Sequence, residues 1–382
     1  MVASMFFASI FIILYVYMVY PLVIFFLSKI AKKNNYKLIK KEFLPDITIV
    51  IPLFNESSLI LKKYNDFCSI NYPHDKISYI FVSDGATDDS NNILSVLEAE
   101  HDNVSAVFIS ERMGKPNALN LAMEKVDTDI VFFSDIRQTV SEDALINMVS
   151  ELESSRDIGL VCGELVHVGS DGSTSKNVGV YWKYEKWIRH SESDLYSTVG
   201  TTGALYVFYK KDYTFIDVDT ILDDFEIPMN ILRKGKKLKI SSNAFMYDYA
   251  HDDLQNEKHR KIRTLSGNYQ SFFRMRWLFS PINNPVFFQF ISHKVLRLLI
   301  PYMMLICFVS NALLLSNSPL YLLFFIAQVM YYILVFLAHR LEFFRNNKIS
   351  NFCLVFFELN LAVVYSLYRY LTNQASVTWK KT

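Results

Sequence analysis

The hydrophobic pattern places long apolar stretches at both ends of the chain and a mixed segment between them. No charged residue occurs before Lys29, and residues 5–27 are almost wholly aliphatic or aromatic. A helix of that length crosses roughly 30 Å of hydrocarbon. The basic start, short apolar core and small-residue cleavage site of a signal peptide are absent from this stretch. We therefore expect an uncleaved membrane anchor.

The second apolar region, residues 298–338, has no charged residue and is long enough for two helices. Asn317-Ser318-Pro319 supplies a turn between them. A third segment, residues 351–371, carries Glu358 and Arg369, and either crosses the bilayer or lies partly along its surface. Residues 285–297 mix aromatic and basic side chains, which predicts an interfacial amphipathic helix.

Basic residues flank these apolar stretches on one side. They follow the first stretch at Lys29, Lys32, Lys33, Lys37, Lys40 and Lys41. They also occupy the loop 339–348 after the second. The positive-inside tendency therefore predicts a cytosolic middle segment and an N-terminus outside the plasma (inner) membrane.

The middle segment alternates short β-branched runs with helical stretches, which is typical of a mostly parallel α/β sheet. The predicted strands are residues 47–53, 79–83, 104–109, 130–134, 159–166 and 204–209. The predicted helices are residues 59–68, 91–100, 116–125 and 144–154.

These patterns predict six segments. They are an N-terminal transmembrane helix (1–28), a basic cytosolic linker (29–44), a cytosolic catalytic domain (45–284), the interfacial helix (285–297), a transmembrane region of about three helices (298–372) and a tail (373–382).

Composition excludes several functions. The net charge is only +1, so no nucleic-acid partner is expected. The four cysteines have no CxxC spacing, which argues against a disulfide framework or a zinc site. The sequence contains neither GxxxxGK[ST] nor GxGxxG, so any phosphate group must be bound by a metal and basic side chains.

Two predicted strands run directly into an aspartate, Asp84 and Asp135. Carboxyl ends of parallel strands meet at one rim of a sheet, where ligands gather. Hard carboxylate oxygens there suit Mg²⁺ or Mn²⁺, which would neutralise a departing diphosphate. Either residue alone is as well explained as a helix cap or turn former.

Basic and acidic side chains elsewhere complete a candidate site. Arg112, Lys115, Arg260 and Arg263 are candidates for binding phosphate, and a solvated basic face is the alternative, above all for Arg112. Adjacent carboxylates in Leu222-Asp223-Asp224 repel one another, which would raise the pKa of one toward that of a general base. Acidic pairs at a helix start are also common.

The combination of these segments resembles the family 2 glycosyltransferases, membrane-bound relatives of the cellulose, hyaluronan, chitin and poly-N-acetylglucosamine synthases. The resemblance covers residues 47–299 and implies a GT-A-like (Rossmann-like) mixed sheet flanked by transmembrane helices. The matching segments are Val50-Ile51-Pro52-Leu53-Phe54-Asn55-Glu56, Val82-Ser83-Asp84-Gly85, Gly114-Lys115-Pro116-Asn117, Ser134-Asp135-Ile136-Arg137, Gly200-Thr201-Thr202-Gly203 and Leu222-Asp223-Asp224.

The resemblance implies roles for these positions. Donor binding falls to Pro52, Asn55, Glu56, Asp84, Lys115, Arg260 and Arg263, metal binding to Asp135, and catalysis to Asp224, the base, with Asp223 beside it. Thr202 and Gly203 lie on the acceptor side. Trp182 is a further acceptor candidate because sugars stack on aromatic faces, although packing of an amphipathic helix on the sheet or the membrane surface explains it slightly better.

The sequence departs from the family pattern twice. Arg137 replaces the second aspartate of the metal-binding DxD motif. In the QxxRW region Arg263 is retained, but Gln and Trp are absent and Thr264 stands in place of Trp. The departures leave the remaining metal ligands and the mode of acceptor binding open.

The sequence therefore predicts an inverting glycosyltransferase that transfers sugar from a nucleotide-sugar, by resemblance a UDP-sugar, to a growing polysaccharide, with Mg²⁺ or Mn²⁺ as cofactor. A single addition to a lipid-linked acceptor is the alternative among enzymes. An inactive transferase-like scaffold or transporter is the alternative from another class. The expected partners are the donor, a glycan or lipid-linked acceptor and the bilayer, with room for an accessory membrane subunit.

Overall fold

The computed structural model describes residues 1–31, 37–168, 180–249 and 254–374. Lys32 and Lys33 of the predicted linker, and residues 375–382 of the predicted tail, lie outside the described residues. The chain forms two compact units. One comprises Met1–Ile24, Gln255–Tyr269 and the described residues from Phe287 onward, and the other comprises Phe25–Leu254 and Gln270–Val286.

The first unit is built from apolar helices. In chain order they are α1 (Val2–Leu14), a π-helical turn (Tyr15–Val19) and α2 (Tyr20–Ile30), then α10 (Phe287–Gln289), a π-helical segment (Phe290–Val295), α11 (Leu296–Leu313), α12 (Pro319–Arg340), α13 (Glu342–Arg345) and α14 (Lys348–Leu371). Helix α2 continues into the second unit after Ile24.

Four stretches of the described chain are helices long and apolar enough to cross a bilayer: Val2–Ile30, Phe287–Leu313, Pro319–Arg340 and Lys348–Leu371. The predicted interfacial segment 285–297 lies at the start of the second of these helices, and its place in the membrane interface stays a prediction. Aromatic rings pack the helices together, as in the edge-to-face contact of Phe6 with Tyr321. The protein is therefore an integral membrane protein.

The second unit is built on an eight-stranded sheet of order β3-β2-β1-β4-β7-β6-β8-β5. The strands are β1 (Ile47–Leu53), β2 (Ile77–Asp84), β3 (Val104–Ile109), β4 (Ile130–Ser134), β5 (Thr139–Val140), β6 (Ile158–Val168), β7 (Leu205–Tyr209) and β8 (Lys237–Tyr249). Strands β1 to β4 are mutually parallel, β7 is antiparallel to β4 and β6, β8 is parallel to β6, and β5 is antiparallel to β8.

Helices connect and cover these strands. They are α3 (Ser57–Cys68), α4 (Ser90–Glu100), α5 (Lys115–Lys125), α6 (Ala144–Glu153), α7 (Val180–Leu195) and α8 (Asp223–Arg233). They are followed by α9 (Leu254–Arg274), of which Gln255–Tyr269 belong to the first unit and the last residues to the second. Strand β1 is buried along its whole length, which explains why it reads as an unbroken apolar run. The mixed α/β prediction is confirmed.

The topology brings three chain segments to one rim. Strands β2 and β4 both end there, at Asp84 and Ser134. Because β7 runs antiparallel to β4, its first residue Leu205 pairs with Ser134, the last residue of β4. The residues just before β7, including Gly203, therefore lie beside the carboxyl end of β4.

Candidate active site

An ion cluster lies at this rim. The Lys115 ammonium, at the start of α5, is 2.8 Å from a carboxylate oxygen of Asp135 and 3.2 Å from one of Asp223. Asp135 follows β4 and Asp223 begins α8, so three separate elements supply the cluster. The structure thus brings together three of the residues that the sequence singled out.

Lys115 is the central charge of this cluster. Its side chain is only 13% exposed. Burial alone would lower the pKa of Lys115, but the carboxylates of Asp135 and Asp223 outweigh it and raise that pKa well above its usual value. The lysine therefore stays cationic at physiological pH, in a place where it can also meet an anionic ligand.

Asp224 lies next to this cluster but in a different environment. It is half-buried, whereas Asp223 is buried. A Cβ placed on Gly203 would lie 2.5 Å from Asp224 Oδ2, so only glycine leaves room for that carboxylate. The Gly203 carbonyl also accepts a 3.3 Å hydrogen bond from Lys115. Gly203 is therefore packed between the lysine and the second carboxylate.

The loop before α8 is held by the last turns of α9. Gln270 Oε1 accepts from the Ile221 amide at 2.8 Å, and its Nε2 donates to the Asp219 carbonyl at 2.8 Å. Ser271 donates to Glu226 at 2.9 Å. Burial raises the pKa of Glu226 above its usual value. No local sequence pattern predicts this support, because its two halves lie about 50 residues apart.

Asp84 anchors a loop at the end of β2. It is buried, and its two carboxylate oxygens accept from the amides of Met113 and Gly114, both at 2.8 Å. Gly85 has φ +66°, and a Cβ there would lie 2.4 Å from the Arg112 amide nitrogen. This close approach requires glycine. The loop fixed in this way leads directly into Lys115.

Arg112 lies on the same loop. Its guanidinium carbon is 3.7 Å from the ring centroid of Phe54, which follows β1. A cation at that distance is attracted to the aromatic face. Both side chains are partly buried, and whether Arg112 binds phosphate or belongs to a solvated basic face stays a prediction.

The segment after β1 supplies Asn55 and Glu56. Asn55 has φ 52° and exchanges hydrogen bonds with Thr87, whose amide donates to Asn55 Oδ1 at 2.8 Å. Glu56 is ion-paired with Arg137, whose Nε donates at 2.8 Å. Arg137 thus replaces the second acid of a DxD motif with a cation that neutralises Glu56. Pro52, within β1, is buried.

Helix α7 contacts β6 and the segment before β7. The Arg189 guanidinium donates to Thr202 Oγ1 at 3.3 Å, next to Gly203. The buried carboxylate of Glu164 on β6 is ion-paired with Lys186 and His190 on α7. Sequence reasoning missed this cluster, although the i,i+4 spacing of Lys186 and His190 could have suggested one helix face.

Two groups of predicted residues are not placed at the ion cluster. The half-buried Trp182 ring has an edge-to-face contact with His167, at 5.4 Å between centroids. Arg260 and Arg263 lie on the first part of α9, in the unit of apolar helices. Their roles toward donor or acceptor stay predictions.

The acidic residues at the rim fit a divalent metal ion that is also bound by the donor. Among the described residues, no group of three or more His, Cys, Asp or Glu side chains is arranged to hold a metal ion. Asp135 is 35% exposed and can contribute a carboxylate. Mg²⁺ is commonly bound by one or two carboxylates, substrate phosphates and water, and such a donor-dependent ion fits these residues.

The sheet order and the acidic rim define a GT-A-like glycosyltransferase fold. Residues 48–213 match the family model described as Glycosyl transferase family 2. The resemblance inferred from the motifs is confirmed. This match includes β1 to β7 and Asp135 but ends before Asp223 and Asp224.

Curated relatives extend the similarity. The chain is 21% identical over 269 residues to a poly-beta-1,6-N-acetyl-D-glucosamine synthase of Staphylococcus epidermidis, covering 69% of this chain and 64% of the relative. It is 22% identical over 254 residues to a synthase of the same description from Staphylococcus aureus (strain COL), covering 64% and 61%. The matched region is thus less than two thirds of each relative's length.

A solved structure resembles the fold over nearly all of both chains. It is the mannosyltransferase PcManGT from Pyrobaculum calidifontis, determined in complex with GDP-Man and Mn²⁺. The TM-score is 0.72 at 18% identity, with 98% of this chain and 100% of that chain covered. At this identity the similarity concerns the fold.

Proposed function

We propose that this chain is a membrane-bound inverting glycosyltransferase that moves a sugar from a nucleotide-sugar, a UDP-sugar, onto a growing glycan and so extends an extracellular or capsular polysaccharide. The observation that carries the proposal is the buried Lys115 ammonium between Asp135 and Asp223, at the rim of a family 2 domain. The polymer-synthase names of the curated relatives support polymer extension.

The residues divide the chemistry between them. The acceptor hydroxyl oxygen attacks the anomeric carbon, the bond from that carbon to the diphosphate breaks, and its electron pair leaves with the diphosphate. Asp224 takes the hydroxyl proton. Lys115 carries a positive charge toward the diphosphate, while Asp223 and Asp135 hold that ammonium in place. Gly203 leaves the space in which Asp224 reaches the acceptor.

Asp135 would hold Mg²⁺ or Mn²⁺ together with diphosphate oxygens and water, and the ion would neutralise charge on the leaving diphosphate. The Mn²⁺ in the complex of PcManGT supports a divalent ion here. Pro52, Asn55, Glu56, Asp84, Arg260 and Arg263 are proposed to bind the donor. Thr202, with Arg189 and Trp182, is proposed to face the acceptor.

The predicted segment boundaries complete the proposal. The catalytic domain, residues 45–284, lies at the cytosolic face of the plasma (inner) membrane, and the N-terminus lies outside. An accessory membrane subunit associates with the chain if export of the glycan requires one. The basic linker supports this orientation.

The test uses the full chain purified in nanodiscs. Nucleotide release is measured with UDP- and GDP-sugars of glucose, N-acetylglucosamine and mannose, each with Mg²⁺, Mn²⁺ or EDTA. Product length is read by mass spectrometry. We expect release with a UDP-sugar and a ladder of long products. Nucleotide release without a ladder of long products would support single addition to a lipid-linked acceptor. Absence of nucleotide release with every donor would refute the transferase proposal.

Two variants test the roles. Asp224→Asn should lower turnover at least a thousandfold while donor affinity stays within about threefold. Asp102→Asn, which changes an exposed aspartate before β3, is the matched control and should be unaffected. Wild-type turnover in Asp224→Asn would contradict the base assignment.

A further inference from the structure

A second cleft lies in the catalytic unit, at the edge of the sheet formed by β8 and β5. Its volume is about 980 Å³. Besides residues of β8 and β5, it is lined by residues from the end of α3 and the start of α6. None of the residues of the ion cluster, Lys115, Asp135, Asp223 and Asp224, lines this cleft. Its size falls within the range of ligand-binding clefts.

One face of β8 supplies an aromatic row to the cleft. Asn243, Phe245, Tyr247 and Tyr249 line it. These are alternate positions, while Ala244 and Met246 between them are fully buried in the core. Successive members of the row are roughly 6.6 Å apart along a strand. Pyranose rings stack their C–H faces on aromatic rings, so a row of rings along the cleft suits a chain of sugars.

The opposite wall is polar and pre-arranged. Asn71 Nδ2 donates to Asp143 Oδ1 at 2.8 Å. Both side chains are exposed, so Asn71 Oδ1 and the second carboxylate oxygen of Asp143 remain accessible as acceptors for hydroxyl groups. Asn147 donates to the carbonyls of Asp143 and Asn243, at 2.7 and 3.2 Å, and thereby ties this wall to β8. Fixed acceptors lower the entropic cost of binding a flexible chain.

The strand order relates the cleft to the ion cluster. From β4, which leads to Asp135, the sheet continues through β7, β6 and β8 to β5. Phe245 pairs with Glu164, and Tyr247 with Val166, so the aromatic row shares a sheet face with Glu164. That glutamate is paired with α7, whose Arg189 contacts Thr202 beside Gly203. One sheet face thus joins the acceptor side of the rim to the cleft.

We propose that this cleft binds a neutral oligosaccharide, a segment of the glycan several sugars away from the reacting end. The choice of a glycan as ligand rests on the proposed transferase function. Stacking on Tyr247 and Tyr249 and hydroxyl contacts to Asp143 and Asn71 hold the chain. A transferase with such a site favours long acceptors over short ones.

The test measures binding without donor, so it does not depend on transfer. Full-length protein in nanodiscs is titrated by calorimetry with disaccharides and hexasaccharides of N-acetylglucosamine, glucose and mannose. We expect at least one hexasaccharide to bind, at least tenfold more tightly than its disaccharide. Tyr247→Ala/Tyr249→Ala should weaken that binding at least tenfold, while Tyr247→Phe/Tyr249→Phe, which keeps both rings, should change it less than threefold.

Phe108→Ala is the matched control, because Phe108 is an exposed aromatic side chain on β3, the opposite edge strand. It should bind like wild type, and all variants should share one melting temperature. Absence of binding for every hexasaccharide, or equal loss in Phe108→Ala, would overturn the proposal. If hexasaccharides bind but no nucleotide-sugar is turned over, the cleft stands and the transferase proposal fails. If a nucleotide-sugar is turned over but no hexasaccharide binds, the transferase proposal stands and the cleft proposal fails.

Discussion

Replacing Lys115 by Met removes the ammonium that bridges Asp135 and Asp223 while keeping most of the side-chain volume. The two carboxylate oxygens that contact it are at most about 6 Å apart, the sum of its two contacts. At that separation two unit charges repel by about 3 kcal/mol at an effective dielectric constant of about 20. Partial exposure of Asp135 reduces this cost, so we expect about 2–3 kcal/mol of destabilisation.

The assay is thermal unfolding of the full chain in nanodiscs at several pH values. For a domain of this size, 2–3 kcal/mol lowers the melting temperature by about 4–12 °C. Without the ammonium, the two carboxylates repel each other only while both are ionised. Low pH removes that repulsion. The loss in Lys115→Met should be full at pH 7 and shrink toward pH 4.5.

Lys125→Met is the matched control, since Lys125 is an exposed lysine in the last turn of the same helix. Combining Lys115→Met with Asp223→Asn should restore part of the lost stability, because the repulsion disappears with the second charge. Turnover should fall at least a hundredfold in Lys115→Met. Stability equal to that of Lys125→Met at every pH would refute the charge-bridging role.

Three further predictions use the same preparations. Gly203→Ala should lower turnover at least tenfold with donor affinity unchanged, because the new Cβ lies 2.5 Å from Asp224 Oδ2; unchanged turnover would contradict this packing. Arg137→Ala should cost about 1–3 kcal/mol in thermal unfolding by leaving buried Glu56 unpaired, and adding Glu56→Gln should recover part of the loss. Burial raises the pKa of Glu151 to about 7. Its charge therefore destabilises the fold increasingly from about pH 4.5 upward, and Glu151→Gln should raise the melting temperature at pH 8 but not at pH 4.5.

The buried parallel strands were the most predictable part of the fold. The observed bounds of β1, β3 and β4 match the predicted ones at both ends. Strands β1 and β4 are buried along their whole length, which favours the continuous, mostly apolar runs that the sequence shows. Strand β8 was missed. Its sequence alternates Lys, Ser, Asn and Tyr with apolar residues, since only one of its faces reaches the core, and it includes a register shift opposite β6. Local patterns rarely identify such an edge-side strand.

Site residues that follow a strand end could be predicted from the sequence. Ion pairs between residues far apart in the chain could not. Asp84 and Asp135 were recognisable because each ends an apolar run. The replacement of an acid by Arg137 was visible in the sequence, but its partner Glu56, 81 positions away, was not. Which acid Lys115 would bind was equally hidden, since Asp223 lies more than 100 positions later.

The adjacent residues Asp223 and Asp224 differ in environment more than in chemistry. Asp223 is buried, and its carboxylate is ion-paired with Lys115. Asp224 is half-buried and faces the space that Gly203 leaves open. The helix start therefore suits the two proposed roles: Asp223 would fix the cation that meets the donor, and Asp224 would accept the acceptor's proton. Exchanging the two roles would require moving Lys115, which Asp135 prevents.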